Sequence, residues 1–278
     1  MSKDYGSDVK TYMEQMIADE KSRSTREQYE RNIRTFLNYA EGKQLTKELV
    51  IEYKDVLQIR YRPSTVNVIL AALNGFFEYL GHDELKVKQL KIQRAAYCSE
   101  RKELTREEYL RLVQAAGKRR DERIAVILQT ICSTGIRVSE LRHITAEAVE
   151  QGEAVISLKG KVRVILISGK LKKLLRNYIK RHRISSGSVF VSRSGNPLDR
   201  SNIWKMMKAL CKEAGVSPEK VYPHNLRHLF ARSFYRIEKD IAKLADILGH
   251  SSINTTRIYI ISTGTEHQRH MEALKLVI

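Results

Sequence analysis

Two imidazoles, a guanidinium and a phenol fall within one passage of the chain, Tyr222 to Tyr259. Pro223 suits the first position of a helix, where its missing N–H costs nothing. His224 and Arg227 follow it, three apart and therefore on one helical face. Ile241, Leu244, Ala245 and Leu248 keep helical spacing, Gly249 is fitted to end that segment, and His250 comes at the junction. Thr255 or Thr256 is placed to cap a short further helix that carries Tyr259. Such a set supplies a nucleophile, proton-transfer groups and a permanent cation for phosphate oxygens.

Two other motifs offer chemistry. In Ser133-Thr134-Gly135-Ile136-Arg137-Val138-Ser139-Glu140, Arg137 and Glu140 stand three apart on a helix after a glycine turn. A surface ion pair contributes little. This arginine, however, follows the most apolar helix of the chain, which predicts a half-buried fork held by a carboxylate and shaped for two phosphate oxygens. Lys159-Gly160-Lys161 separates two β-branched runs, a tight hairpin signal. Its lysines are either simple edge protection or a means of placing an ammonium beside a leaving oxygen. His224 and His228 have the i, i+4 spacing of metal ligands. Asn225, however, stands where the metalloprotease motif needs Glu, and no acidic cluster is near. No metal is expected, and His228 reads as a core or surface histidine.

The whole chain must then position these groups. Its 278 residues allow one or two domains. Lys and Arg number 50 against 32 Asp and Glu, a net charge of +18. Residues 1–100 hold 16 basic and 15 acidic side chains, and residues 101–278 hold 34 and 17, so nearly all of the excess accompanies the reactive groups. That points to a polyanion, with nucleic acid ahead of a membrane surface. The segment MSKDYGSDVK lacks the apolar core of a signal peptide. The apolar run Ile124–Cys132 is interrupted by Gln129 and is too short for a bilayer. Cys98, Cys132 and Cys211 are odd in number and widely spaced, which suggests neither disulfides nor a zinc knuckle. A reduced, cytoplasmic protein is expected.

Periodicity predicts a mainly α chain. Helices are expected within residues 1–20, from the Ser24/Glu27 capping-box pattern, over Thr46–Leu57, and from Ser64 to Gly81. They form an N-terminal helical bundle, residues 1–91, followed by a linker, 92–103. Thr105 with Glu108 starts the next helix, and Arg123–Cys132 reads as a core helix. EAVISL and VRVILI form the hairpin, Ser188–Ser192 offers a third short strand, and 171–184 and Asn202–Gly215 are basic helices. Residues 104–278 are thus an α+β domain with a small antiparallel sheet.

Arg137, a hairpin lysine, His224-x-x-Arg227, Gly249-His250 and Tyr259, in that order, resemble the tyrosine recombinase (phage integrase) family. The strings TGIRVSEL, PHNLRHLFA and LGHSSINTTRIY carry the likeness, and residues 1–91 resemble the family's SAM-like core-binding domain. The size is similar to the simple Xer-type members. The resemblance implies metal-free and cofactor-free DNA strand transfer. Tyr259 would attack a backbone phosphate to give a 3′-phosphotyrosyl enzyme. Arg137 and Arg227 would hold its oxygens, His224 would assist proton transfer, and His250 would hydrogen-bond a non-bridging oxygen. Glu140 would act as the accessory acid, buttressing Arg137 or His250. Lys159 would protonate the leaving 5′ oxygen. The hairpin is one residue shorter than the family's Gly-Lys-Gly-x-Lys-x-Arg, so Lys161 is an alternative acid or a DNA contact. Thr25, Arg62, Ser64 and Thr65 would face DNA from the N-terminal domain, and the two domains would close around the duplex. The partner is double-stranded DNA with specific sites, bound by a homotetramer on paired sites. A helix in 266–278 would dock on a neighbouring subunit. A type IB topoisomerase uses the same groups without partner exchange, and a non-catalytic DNA-binding protein would need no phenol there.

Overall fold

Caps and turns divide this chain into helices before packing is considered. The computed structural model describes residues 5–92, 103–158, 161–260 and 272–274. The chain separates into two compact units between Arg94 and Ala95. Among the described residues no helix is long and apolar enough to cross a membrane.

The first unit contains α1 (Gly6–Ala18), α2 (Arg23–Tyr39), α3 (Lys47–Arg60) and α4 (Pro63–Tyr79). Helix α2 begins earlier than its Ser24/Glu27 pattern suggests. The Ser22 hydroxyl accepts the Thr25 N–H at 3.3 Å, and Glu27 pairs with Arg23 at 2.7 Å instead of reaching back to the backbone. Thr46 caps α3 by accepting the Leu49 N–H, and Pro63 is the first residue of α4. Val9, Ile33, Phe36, Val50, Leu70, Leu73, Phe76 and Phe77 are fully buried between the four helices. Each such side chain contributes about 1.5–3 kcal/mol of hydrophobic stabilisation. Two asparagines of α4 then hold the outgoing chain. Asn74 exchanges two hydrogen bonds with the Val87 backbone and Asn67 two with Leu90, replacing a strand partner.

The second unit opens with α5 (Arg106–Lys118), started by the Thr105/Glu108 capping box, and α6 (Glu122–Thr134). Six fully or nearly fully buried residues of α6, among them Ile124, Ile127, Leu128 and Ile131, make it the core helix. Helix α7 (Ala146–Gln151) leads to β1 (Glu153–Leu158), which pairs antiparallel with β2 (Lys161–Leu166). Alternation sets the faces of the hairpin: Ala154, Ile156 and Ile165 are buried, while Val155, Val162 and Leu166 are exposed. The expected third strand at Ser188–Ser192 does not form. Val189 donates to the Ile144 carbonyl, and the chain then turns back on itself, Ser192 donating to Asn196 and Leu198 to Phe190. Only isolated bridges remain there, Thr145–Ser188 and Val191–Pro197.

Helices α8 (Gly169–Arg181), α9 (Arg200–Ala214), α10 (Pro223–Glu238), α11 (Ile241–Leu248) and α12 (Ile253–Ile260) complete the described chain. Thr255 and Thr256 lie inside α12 and do not cap it. The helix starts sooner because the Ser252 hydroxyl accepts the Asn254 N–H and its carbonyl accepts the Thr255 N–H.

Candidate active site

Gly135 ends α6 with φ of 63°, a left-handed turn that most side chains resist. A Cβ there would also overlap the Phe230 ring of α10 and meet Leu248 at 3.0 Å. The chain can therefore turn tightly against α10 and α11, which brings Arg137 beside them. Glu140 sits on a 3-10 helix, Val138–His143, and not on an α-helix, and Arg137 is the extended residue that caps its start. Arg137 Nη1 donates to Glu140 Oε1 at 3.0 Å, and its backbone N–H donates to Oε2 at 2.9 Å. Its Nη2 reaches the Gly249 carbonyl at 3.3 Å. The side chain is 40% exposed while Glu140 is only 1% exposed. A buried carboxylate thus aims a guanidinium whose outer edge stays open.

Arg227 is the larger surprise of burial, at 1% exposure. Its Nη1 donates to the Gly135 carbonyl, and its Nη2 to the Leu248 carbonyl at 2.7 Å and to His250 Nε2 at 2.9 Å. Burial first, and Arg137 second, bring its pKa down to about 10, so it remains a cation at neutral pH. Among the described residues its buried Nε has no hydrogen-bond partner.

Tyr259 is 6% exposed and packed with Ala231, Leu244 and Leu248. Its ring lies 5.3 Å from that of His224, 5.2 Å from that of His250, and 4.2 Å from that of His228, which stacks on it at 29°. The Arg227 guanidinium is 5.9 Å from the ring centre. Burial, then His224 and Arg227, push the His228 pKa down to about 4. Burial, then Arg227, Arg137 and Arg163, do the same for His250. The His224 ring is shielded by its neighbours, and this, followed by Arg227, Arg137 and Arg200, lowers its pKa as well. All three imidazoles are arranged to be neutral beside the phenol.

Six of the residues singled out in the sequence therefore converge: Arg137, Glu140, His224, Arg227, His250 and Tyr259. Lys159 and most of 266–278 lie outside the described residues, and Lys161 opens β2. In the other unit, Arg62, Ser64 and Thr65 are exposed at the start of α4, whereas the Thr25 hydroxyl bonds Ser22 Oγ at 2.7 Å within the α2 cap.

Three residues of the cluster carry more than the sequence reading assigned them. Arg163 of β2 donates to Glu140 Oε2, the Leu248 carbonyl and, at 3.4 Å, the Ile247 carbonyl. Its signal was available: it has the inward parity of Ile165, and a charge at an inward strand position calls for a buried partner. Thr256 is fully buried and bonds His250 Nδ1 at 2.9 Å. His228 faces the Tyr259 ring. An open cavity of about 580 Å³ lies between the hairpin and this cluster, lined by Arg137, Glu140, Arg163, Gly249, His250 and Ser251 among others. The guanidinia of Arg137 and Arg163 and the carboxylates of Glu140 and Asp246 line it, and the buried Arg227 stands behind His250. Among the described residues no group of His, Cys, Asp and Glu side chains assembles as metal ligands.

A helical N-terminal unit thus precedes this arginine–histidine–tyrosine centre. The chain belongs to the phage integrase family, whose profile matches residues 102–266, preceded by a phage integrase N-terminal SAM-like domain over residues 9–84. Tyrosine recombinase XerA of Pyrococcus furiosus is 30% identical over 278 residues, covering 96% of this chain and 92% of that protein. Tyrosine recombinase XerD of Listeria monocytogenes is 28% identical over 264 residues, covering 86% and 88%. A crystal structure of XerA recombinase aligns over 99% of this chain and 100% of its own, at 26% identity and a TM-score of 0.55. XerH site-specific recombinase bound to palindromic difH substrate, a post-cleavage complex, shares the fold with a TM-score of 0.71 at 22% identity, covering 90% and 79%. A lambda integrase tetramer bound to a Holliday junction does so with 0.70 at 19%, covering 91% and 76%. The protein is accordingly a tyrosine-type site-specific DNA recombinase.

Proposed function

We propose that Tyr259 is the nucleophile, attacking a DNA backbone phosphate to give a 3′-phosphotyrosyl enzyme and a free 5′-hydroxyl. The new P–O bond to the phenol replaces the bond to the 5′ oxygen, so the phosphodiester's energy is kept and a second 5′-hydroxyl can reverse the step. Arg137 and Arg227 hold the non-bridging oxygens and stabilise charge that grows in the transition state. His250 donates a hydrogen bond to one of these oxygens. His224, which burial and the neighbouring arginines keep neutral, takes the phenol proton. Lys159 protonates the leaving oxygen. Glu140 does not react but aims Arg137. The observation that carries this reading is the packing of the Tyr259 ring among His224, His228, His250 and the buried Arg227.

DNA enters at the cavity beside the hairpin, where the exposed edge of Arg137 meets it first. Arg62, Ser64 and Thr65 meet the duplex from the N-terminal unit, and the cap bond of Thr25 gives it a positioning role there. The enzyme works as a homotetramer on paired sites, as the lambda integrase tetramer on its Holliday junction suggests. It acts where DNA is, in the cytoplasm. A nicked suicide duplex bearing the true site tests the chemistry. The full chain should form a denaturant-resistant adduct, and Tyr259→Phe should bind equally well but form none. An adduct from the Phe variant would overturn the assignment.

A further inference from the structure

Both ring nitrogens of His250 are engaged, and their partners decide where its proton sits. Arg227 Nη2 stands 2.9 Å from Nε2, and a guanidinium has donors only, so Nε2 accepts. The neutral ring therefore carries its proton on Nδ1, 2.9 Å from Thr256 Oγ1, and donates it there. In this tautomer Nε2 cannot give a hydrogen bond to a phosphate oxygen, which the proposed function requires of it.

A hydroxyl resolves the conflict because it accepts and donates equally well. Thr256 is fully buried, so its hydroxyl is held at the ring and away from solvent. We propose that Thr256 is a positioning residue that switches the tautomer of His250 when a phosphate arrives. In the free protein Oγ1 accepts from Nδ1–H. When a phosphate oxygen takes over Arg227 Nη2, the hydroxyl rotates and donates to Nδ1. While the hydroxyl turns, the half-buried ring swings out far enough to lose its Nδ1 proton to water and gain one from water at Nε2, so its charge is unchanged and Nε2–H now points to the phosphate. Thr256 also precedes Tyr259 by three residues on α12, one turn away on the same face. The bond thus couples the helix that carries the nucleophile to the group that senses the phosphate.

The inference rests on the reading of His250 as a phosphate donor, and the test separates the two. Imidazole ¹⁵N spectra are recorded on the full chain, free and bound to an uncleavable half-site duplex using Tyr259→Phe. The free protein should show Nδ1 protonated and the complex Nε2. In the complex, Thr256→Val should give mixed tautomers and slow adduct formation by about tenfold, the rate equivalent of one lost hydrogen bond. Thr256→Ser should restore both. A wild-type complex that keeps its proton on Nδ1, a Thr256→Val complex with the wild-type tautomer, or a complex with both nitrogens protonated would overturn the switch. Undiminished cleavage by His250→Ala would instead remove the phosphate role of His250, leaving the tautomer in the free protein as found.

Discussion

Gly249 lies directly beneath the side chain of Arg163. A Cβ built on it would overlap Arg163 Cδ and stand 3.0 Å from Nη1. With φ of 63°, Gly249 ends α11 in a left-handed turn whose carbonyl reaches Arg137. The same Arg163 binds Glu140, so one arginine ties together the hairpin, the carboxylate that holds Arg137 and the His250 turn. A side chain at 249 disturbs all three at once.

Gly249→Ala should therefore lower stability by more than the about 1–2 kcal/mol of left-handed strain alone, because Arg163 must also move. Adduct formation should fall further than half-site binding. Thermal unfolding and suicide-substrate cleavage check this, and a variant with both properties intact would refute the packing.

Glu140 and Arg137 should separate stability from chemistry. Glu140→Gln leaves Arg163, 11% exposed, without its counter-charge, and breaking such a buried pair costs about 3–5 kcal/mol. Arg137→Ala removes a half-exposed partner, costing about 0–1 kcal/mol, yet should abolish the adduct. Melting curves for the two variants give the comparison.

Acid should loosen the site. His228 and His250 stay neutral in the folded chain until about pH 4, whereas the ordinary value is 6.5. Between these values the unfolded chain binds protons that the folded chain refuses. Stability that is complete above pH 6.5 is then lost as pH falls toward 4. His228→Phe, which can keep the stacking on Tyr259, should flatten part of that slope in the melting temperature. An identical acid slope would show that His228 does not contribute.

Lys159→Ala should cleave an ordinary site poorly but recover on a substrate with sulfur at the 5′-bridging position, since a thiolate leaves without protonation. Rescue confined to Lys161→Ala would make that residue the acid.

Binding should weaken steeply with salt. Residues 101–278 carry +17, and neutralising phosphates releases counterions, at a slope of about −0.9 per contact. A flat affinity of the full chain between low and moderate salt, measured by fluorescence anisotropy, would contradict a phosphate-dominated interface.

Much of this protein could be read from local chemistry. Apolar spacing and caps announced the helices, and Pro223, Gly135 and Gly249 marked their ends correctly because backbone φ depends on the residue itself. Where two local signals competed, the reading slipped. Ser22 took the cap expected of Ser24, and Ser252 started α12 ahead of Thr255. The third strand failed because β-propensity names no partner, and the donors of Val189 and Leu198 found other carbonyls. The family was also legible, since the types and order of Arg137, His224, Arg227, His250 and Tyr259 recur in it.

Which atoms meet was decided by tertiary structure. Glu140 and Arg163, or Arg227 and Gly135, are far apart in sequence and have no shared period. Their contact exists because α10 packs against both α6 and α11, and α11 against the hairpin. The proton position on His250 depends on an arginine from another helix and a threonine from the helix that carries Tyr259, a balance that no linear spacing encodes. Neutral imidazoles and a buried cationic guanidinium follow from the water that this packing removes.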